Sequence, residues 1–270
     1  MLEENESTSY VDVQKKLTIQ QSLLCGSIAG AIEANLSHPL WVLKTRAQQQ
    51  KPLSLHPSII YRGISSNVAS MVPLTATQVG LHQLCQDLFF SHVTTPSTAQ
   101  EAASAYLSGA GAALIACPTE MVMTHQGKQV GNGYAVAKEL VKQGGWKTLW
   151  RGLPATALRD SPFTLSFLVA MPYMKKQIQP YCVGEADATA YAGISSGMIS
   201  TLASQGFDTV KTLQQTASKP VSAYTLVKQI YQAQGVSGFF KGTVPRSLSV
   251  ISGTIVLGGL TEKLTSYMCK

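Results

Sequence analysis

The chain has 270 residues and a net charge of +7, from 21 Lys and Arg against 14 Asp and Glu, yet only 13% of its residues are charged and 45% are apolar. That is little charge for a soluble protein, while a mean hydropathy of +0.10 is too polar for simple lipid-buried spans; helices that meet lipid on one face and a watery interior on the other satisfy both. Five cysteines without paired spacing read as reduced packing residues, so no metal, redox or cofactor site is expected, nor a nucleic-acid partner.

Residues 1–17 form an acidic, polar tail without the apolar stretch of a secretory signal or the Arg-rich face of a transit peptide. Residues 18–47 support one long helix, with Gly26 and Gly30 giving a flat face to a neighbour and Pro39 a kink. Further apolar segments cover 64–90, 101–126, 153–177, 186–215 and 243–268. Each exceeds the roughly 20 residues that cross about 30 Å of hydrocarbon, so six spans are expected. Between odd and even spans, residues 134–142 and 224–231 space their apolar side chains as helices lying on a membrane surface do. The strips from the ends of odd spans to the starts of even ones hold 14 of the 21 Lys and Arg, which puts them on the matrix-like side.

The spans repeat. Pro39, Trp41, Lys44 and Gln48 recur as Pro118, Glu120, Met123 and Gly127, and again as Gly206, Asp208, Lys211 and Gln215. The common frame is Pro, an acid two on, a base three further and Gln four further. Small residues stand 13 and 9 positions before each Pro position: Gly26 and Gly30, Ala105 and Gly109, Gly193 and Gly197. An aromatic, a base and a glycine follow as Tyr61-Arg62-Gly63, Trp150-Arg151-Gly152 and Phe240-Lys241-Gly242, spaced by 89 and 90 residues. One spacing in three places argues for a single body, residues 18–270, of three repeats at about 18–97, 98–182 and 183–270.

On these motifs the chain resembles the mitochondrial carrier family, whose repeats carry Pro-x-acid-x-x-base-x-base-x-Gln and later Gly-x-x-x-x-aromatic-base-Gly; the resemblance covers residues 18–268. It implies an all-α membrane protein, a pseudo-threefold barrel of six transmembrane helices with short amphipathic helices on the matrix side, monomeric and set in the mitochondrial inner membrane. It also implies a matrix gate, in which the acid of each odd helix pairs with the base of the next odd helix only while the cavity is open to the other side. Carried over, this pairs Glu120 with Lys211 and Asp208 with Lys44, braced by Gln48 and Gln215. The third pair is missing on both sides at once, Trp41 standing for the acid and Met123 for its base, which avoids an unpaired buried charge. The matching positions of the opposite gate, Gln83 and Gln86, Pro172 and Lys175, Thr261 and Leu264, offer no complete ion pair. At the three aromatic-base-Gly turns the resemblance implies cardiolipin phosphate, met by free backbone amides and a base; an interfacial anchor with a snorkelling base is the alternative.

For the substrate, Ser70, Arg159 and Ser249 hold matching positions on the even spans. Arg159 and Asp160 put charge inside an apolar span, where it is costly and usually functional; a structural ion pair to a neighbouring helix is the other reading. Glu33, 11 residues before Lys44, lies close to the same helix face, and Gln78 adds a polar group. Phe163 and Phe167, one and two turns past Arg159, either stack on a flat base or pack in the core. The Arg-acid pair resembles the amino-acid and S-adenosylmethionine carriers of the family, whereas its ADP/ATP exchangers have arginines where this chain has Ser70 and Ser249. The shortened loops and degenerate second repeat resemble a bacterial nucleotide carrier, an effector delivered to host mitochondria. On that overall likeness the expected cargo is adenine nucleotide, ATP or ADP, moved by antiport. No Ser, His and acid set has catalytic spacing, and Gly109-Ala110-Gly111 lacks the preceding strand and third glycine of a dinucleotide loop, so no enzyme is expected. A membrane adaptor on a carrier scaffold that no longer transports is the remaining class.

Overall fold

The computed structural model describes residues 17–48, 56–61, 64–90, 97–126, 133–217, 221–240 and 242–268, without the side chains of Trp41, residues 44–48, Ser58, Ser66, Phe90 and Gln126. Six rods dominate it: α1 (Ile19–Gln48), α3 (Ile64–Phe90), α4 (Thr98–Gln126), a fourth made of α6 (Leu153–Leu165) continued by α7 (Met171–Ile178), α8 (Glu185–Thr216) and α10 (Thr243–Met268). Shorter helices α2 (Pro57–Ile60), α5 (Gly133–Gly144) and α9 (Ala223–Gln234) fall between odd and even rods. At 1.5 Å per residue the rods run about 39–48 Å, enough to cross a bilayer with some tilt. Each rod packs on the next in chain order, and α10 returns to α1, which closes a ring. Six crossings bring both chain ends to one end of the ring, here the tail end; α2, α5 and α9 lie at the other, the loop end.

Polarity is inverted relative to a bundle in water. Leu24, Leu36, Leu107, Leu114, Ile199 and Leu202 are exposed, whereas Thr75, Ser108, Thr156, Thr164, Ser204 and Thr254 are fully buried. Lipid solvates the first set. Many of the second bond back to their own helix, as Ser108 does to the Ala105 carbonyl and Ser204 to that of Ser200. In α4 the outer face raises an 18-residue window within Thr98–His125 to a mean hydropathy of 1.2.

The repeat glycines set how closely the rods meet. A Cβ at Gly30 would lie 2.8 Å from Thr75 Oγ1, at Gly109 2.7 Å from Ser161 Cα, and at Gly197 3.0 Å from Ile251 Cα. One repeat position therefore makes the close approach of α1 to α3, α4 to α6 and α8 to α10, where a larger residue would wedge the backbones apart. The repeat also shapes the loop end. Val136 and Leu140 of α5 and Leu226 and Ile230 of α9 are buried against the bundle. Gly152 and Gly242, at φ of 85° and 80°, then turn the chain into α6 and α10 through a conformation that other residues resist.

The fourth rod is not regular. Between Pro162 and Pro172 a π turn, Ser166–Ala170, adds a residue to the helical repeat. Phe167 and Leu168 come to rest inside the ring against Ala29 of α1, Val79 of α3, Ala105 of α4 and Leu257 of α10. Met171 closes on Gly258, which has no side chain to obstruct it. An apolar layer drawn from five rods thus shuts the tail half.

Candidate functional site

Beneath that layer lies a cavity of about 550 Å³. Glu33 of α1, Ser70 and Gln78 of α3, Arg159, Asp160 and Phe163 of α6 and Ser249 of α10 all line it. The structure therefore brings the seven substrate candidates of the sequence to one place. Gln78 donates to Thr164 Oγ1 at 2.9 Å, and the Phe163 ring tilts onto Phe167 with centroids 5.5 Å apart.

Arg159 sits at the centre of a charge network. Its Nη1 lies 2.8 Å from Glu120 Oε1 of α4 and 3.8 Å from Asp208 Oδ1 of α8, and its Nε donates to Asp160 Oδ1 at 2.7 Å. The second oxygen of Glu120 lies 2.7 Å from Lys211 Nζ, so the gate pair carried over from the repeat frame is formed. Asp208 meets Arg246 Nε at 3.5 Å. Lys44, Trp41 and Gln48 lie outside the described side chains, which leaves the pairing of Asp208 with Lys44 open. So interlinked a network tolerates burial because each charge has a partner; removing one costs about 3–5 kcal/mol.

Two gate expectations need correction. Gln215 is buried one turn past Lys211, but it donates to Cys117 Sγ at 3.9 Å rather than bracing the pair. The pair itself was expected only with the tail end open, yet it is formed here beneath a closed layer. Met123 shows why: it lines the cavity together with Thr124, Thr212 and Thr216, toward the loop end beyond the pair. With the third pair replaced by apolar residues, the Glu120–Lys211 bridge, the one repeat-frame pair formed among the described residues, leaves the cavity running past it.

At the tail end the structure supplies an ionic link that the sequence reading lacked. Lys175 of α7, itself buried, holds Glu262 Oε1 of α10 and Glu185 Oε1 at the start of α8, each at 2.9 Å. The acid stands one residue past the expected Thr261. Lys175 holds the Glu185 carboxyl below its ordinary range through that hydrogen bond.

Arg246 also escaped the sequence reading, which placed it among loop bases. It is buried and donates to the Thr201 carbonyl at 3.1 Å, Gln205 Oε1 at 3.1 Å and Ser204 Oγ at 2.6 Å. The available signal was the polar stripe Thr201, Ser204, Gln205 and Asp208 on one face of α8, which needs a donor opposite. Among the aromatic-base-Gly turns, Arg62, Gly63 and Lys241 lie outside the described residues, and Tyr61 and Phe240 are exposed. Trp150 donates to the Leu114 carbonyl at 3.1 Å. Arg151 is not a free base: its Nη1 donates to the Ala217 carbonyl at 2.9 Å, tying this turn to the end of α8.

Three successive matches to the family described as mitochondrial carrier protein cover residues 15–93, 94–181 and 186–270. Similar proteins include the mitochondrial substrate carrier family protein X of Dictyostelium discoideum, 28% identical over 86% of this chain and 87% of its own length. The mitochondrial glycine transporter of Ovis aries is 28% identical over 92% and 90%. The mitochondrial S-adenosylmethionine carrier protein of Danio rerio is 27% identical over 90% and 95%.

Proposed function

We propose that this chain, which belongs to the mitochondrial carrier family and is a multi-pass protein of the mitochondrial inner membrane, moves an adenosine-bearing metabolite through the Arg159 cavity by alternating access, with adenine nucleotide as the first reading. The observation that carries it is the sharing of Arg159 among Glu120, Asp160 and Asp208. A phosphate or carboxylate entering the cavity competes with those acids for the guanidinium, which offers planar paired bonds to either anion. Drawing Arg159 away loosens its bonds to α4 and α8, so occupancy of the site weakens the loop-end network. Phe163 offers a face for a flat base, Asn67, Ser70 and Ser249 offer polar groups around it, and about 550 Å³ suits a nucleotide-sized solute.

S-adenosylmethionine or an amino acid is the second reading. It is favoured by the acids of the cavity: Glu33, Glu120, Asp160 and Asp208 line it, against Arg159, Lys211 and Arg246 among the described residues, whereas a polyphosphate calls for unshared bases. Relatives named as glycine transporters and as an S-adenosylmethionine carrier point the same way. A competition screen in proteoliposomes separates the readings, with ATP, ADP, S-adenosylmethionine, glycine and basic amino acids offered against labelled ATP and labelled S-adenosylmethionine in turn. Saturable uptake of neither leaves an amino-acid cargo, read with labelled glycine and labelled basic amino acids, and failing those the non-transporting adaptor. The same reading gives the Trp150-Arg151-Gly152 turn a cardiolipin phosphate at the start of α6, where Gly152 supplies no side-chain cap.

A further inference from the structure

We infer that Glu33 holds a positive charge that crosses with the substrate: a proton, or a cationic group of the substrate itself. The inference rests on the cavity being the transport path. Glu33 is 5% exposed, its Oε2 has no hydrogen-bond partner, and no ion pair reaches it among the described residues. An ionised carboxylate buried in this way costs several kcal/mol unless a proton or a cation answers it.

Its place in the ring makes that charge consequential. Glu33 lies one turn below Ala29, Phe163 one turn below Phe167, and Gly253 one turn below Leu257, and the three upper residues belong to the apolar layer that shuts the tail end. Glu33 and Phe163 line the cavity directly beneath it, and Gly253 stands beside them. A Cβ on Gly253 would stand 3.3 Å from Glu33 Oε1 and 3.6 Å from the Phe163 ring. The missing side chain leaves room bordered by a carboxylate and an aromatic ring, the two groups that best hold a small cation.

The protein supplies little to neutralise it. α1 packs on α3 and α10. On α3 the lining residues Asn67, Ser70, Met71, Leu74 and Gln78 are uncharged, and His82, a turn beyond, is bonded to Ser104 and Gln86. On α10 the charged lining residue is Arg246, two turns away and committed to Asp208 and the α8 stripe. Across the cavity Arg159 is shared by Glu120, Asp160 and Asp208, and Lys211 by Glu120. Lys44, three turns further along α1, lies outside the described side chains. Parting the apolar layer carries Glu33 from one aqueous side to the other, and the neutralised carboxylate makes that passage at lower cost than the bare one.

The test uses proteoliposomes with labelled ATP, comparing the wild type, Glu33→Gln and Glu33→Asp. One arm takes the ratio of uptake with and without an imposed pH gradient. The other takes the ratio of inhibition by S-adenosylmethionine to that by S-adenosylhomocysteine, which lacks the sulfonium charge. The wild type should show one of these ratios displaced from unity by about five-fold or more, the lower end of a typical coupling free energy. Glu33→Gln should bring that ratio to unity and Glu33→Asp should keep it; a response to the gradient identifies a proton, and a response to the sulfonium a substrate cation. Ratios near unity in the wild type, or unchanged in Glu33→Gln, overturn the inference. Absence of any wild-type ATP uptake instead refutes the nucleotide reading, and the same ratios are then read with labelled S-adenosylmethionine.

Discussion

Arg159 and Glu120 are joined at 2.8 Å, and the far oxygen of the same carboxylate holds Lys211 at 2.7 Å. One acid therefore holds both the mid-span base of α6 and the loop-end base of α8, and a ligand that takes Arg159 would leave Glu120 to Lys211 alone.

Glu120→Gln removes the acid common to both contacts. It should lower uptake about ten-fold or more, and it should lower stability by about 3–5 kcal/mol, because two bases lose a buried partner. Proteoliposome uptake and thermal unfolding of the purified protein measure the two effects; wild-type values of both would show that the network is ornamental.

At the tail end Lys175 bridges Glu262 and Glu185, but the acids differ in exposure: 27% for the Glu262 side chain and 63% for that of Glu185. Screening by water weakens the second contact. Glu262→Gln should therefore shift the population open at the tail end several-fold, and Glu185→Gln should change it little. Restored opposite charges in the pair Lys175→Glu with Glu262→Lys should recover part of the transport lost in Lys175→Glu alone. Uptake in the double variant no better than in the single one counts against the link.

Glycine substitutions separate packing from propensity. Gly109→Leu drives a side chain into the backbone of α6 at Ser161, so the protein should assemble poorly and unfold at a markedly lower temperature. A Cβ at Gly206 would meet nothing within 4 Å. Gly206→Ala should then hold or raise the unfolding temperature, by up to about 1 kcal/mol of stability from the better helix former. Equal melting of the two variants would contradict the packing described for α4 and α6.

The ring places Tyr134, at the start of α5, and Tyr181, between the fourth and fifth rods, at opposite ends, and both are well exposed. In a background with all five cysteines replaced by serine, Tyr134→Cys and Tyr181→Cys should react with an impermeant maleimide from opposite faces of the inner membrane. Labelling of both from the same face would sink the six-span topology.

The rods were legible because their apolar segments are long enough to cross a bilayer and their ends recur in register: the expected spans end within three residues of the observed helices. The Glu120–Lys211 contact was legible for the same reason, being fixed by the repeat frame. Lys175 with Glu262 was not, since the repeat positions put the acid at Thr261, one residue short of Glu262. Arg246 was missed because it stands in the first turn of the expected span 243–268, where it was counted with the loop bases, while its partners all lie on α8. The contact of Arg159 with Glu120 depends on how far α6 leans toward α4, which residue spacing does not encode.

The central claim is that solute binds Arg159 in the cavity beneath the apolar layer. Its most direct measurement is the initial rate of labelled ATP and labelled S-adenosylmethionine uptake into proteoliposomes by the wild type, Arg159→Lys and Arg159→Ala, with insertion verified for each. Saturable uptake of one of them by the wild type, reduced about ten-fold or more in both variants, is the expected result, because a lysine cannot copy the paired bonds of a guanidinium. Uptake by Arg159→Ala with wild-type rate and half-saturation would contradict the account and leave Arg159 a purely structural tie between α4, α6 and α8.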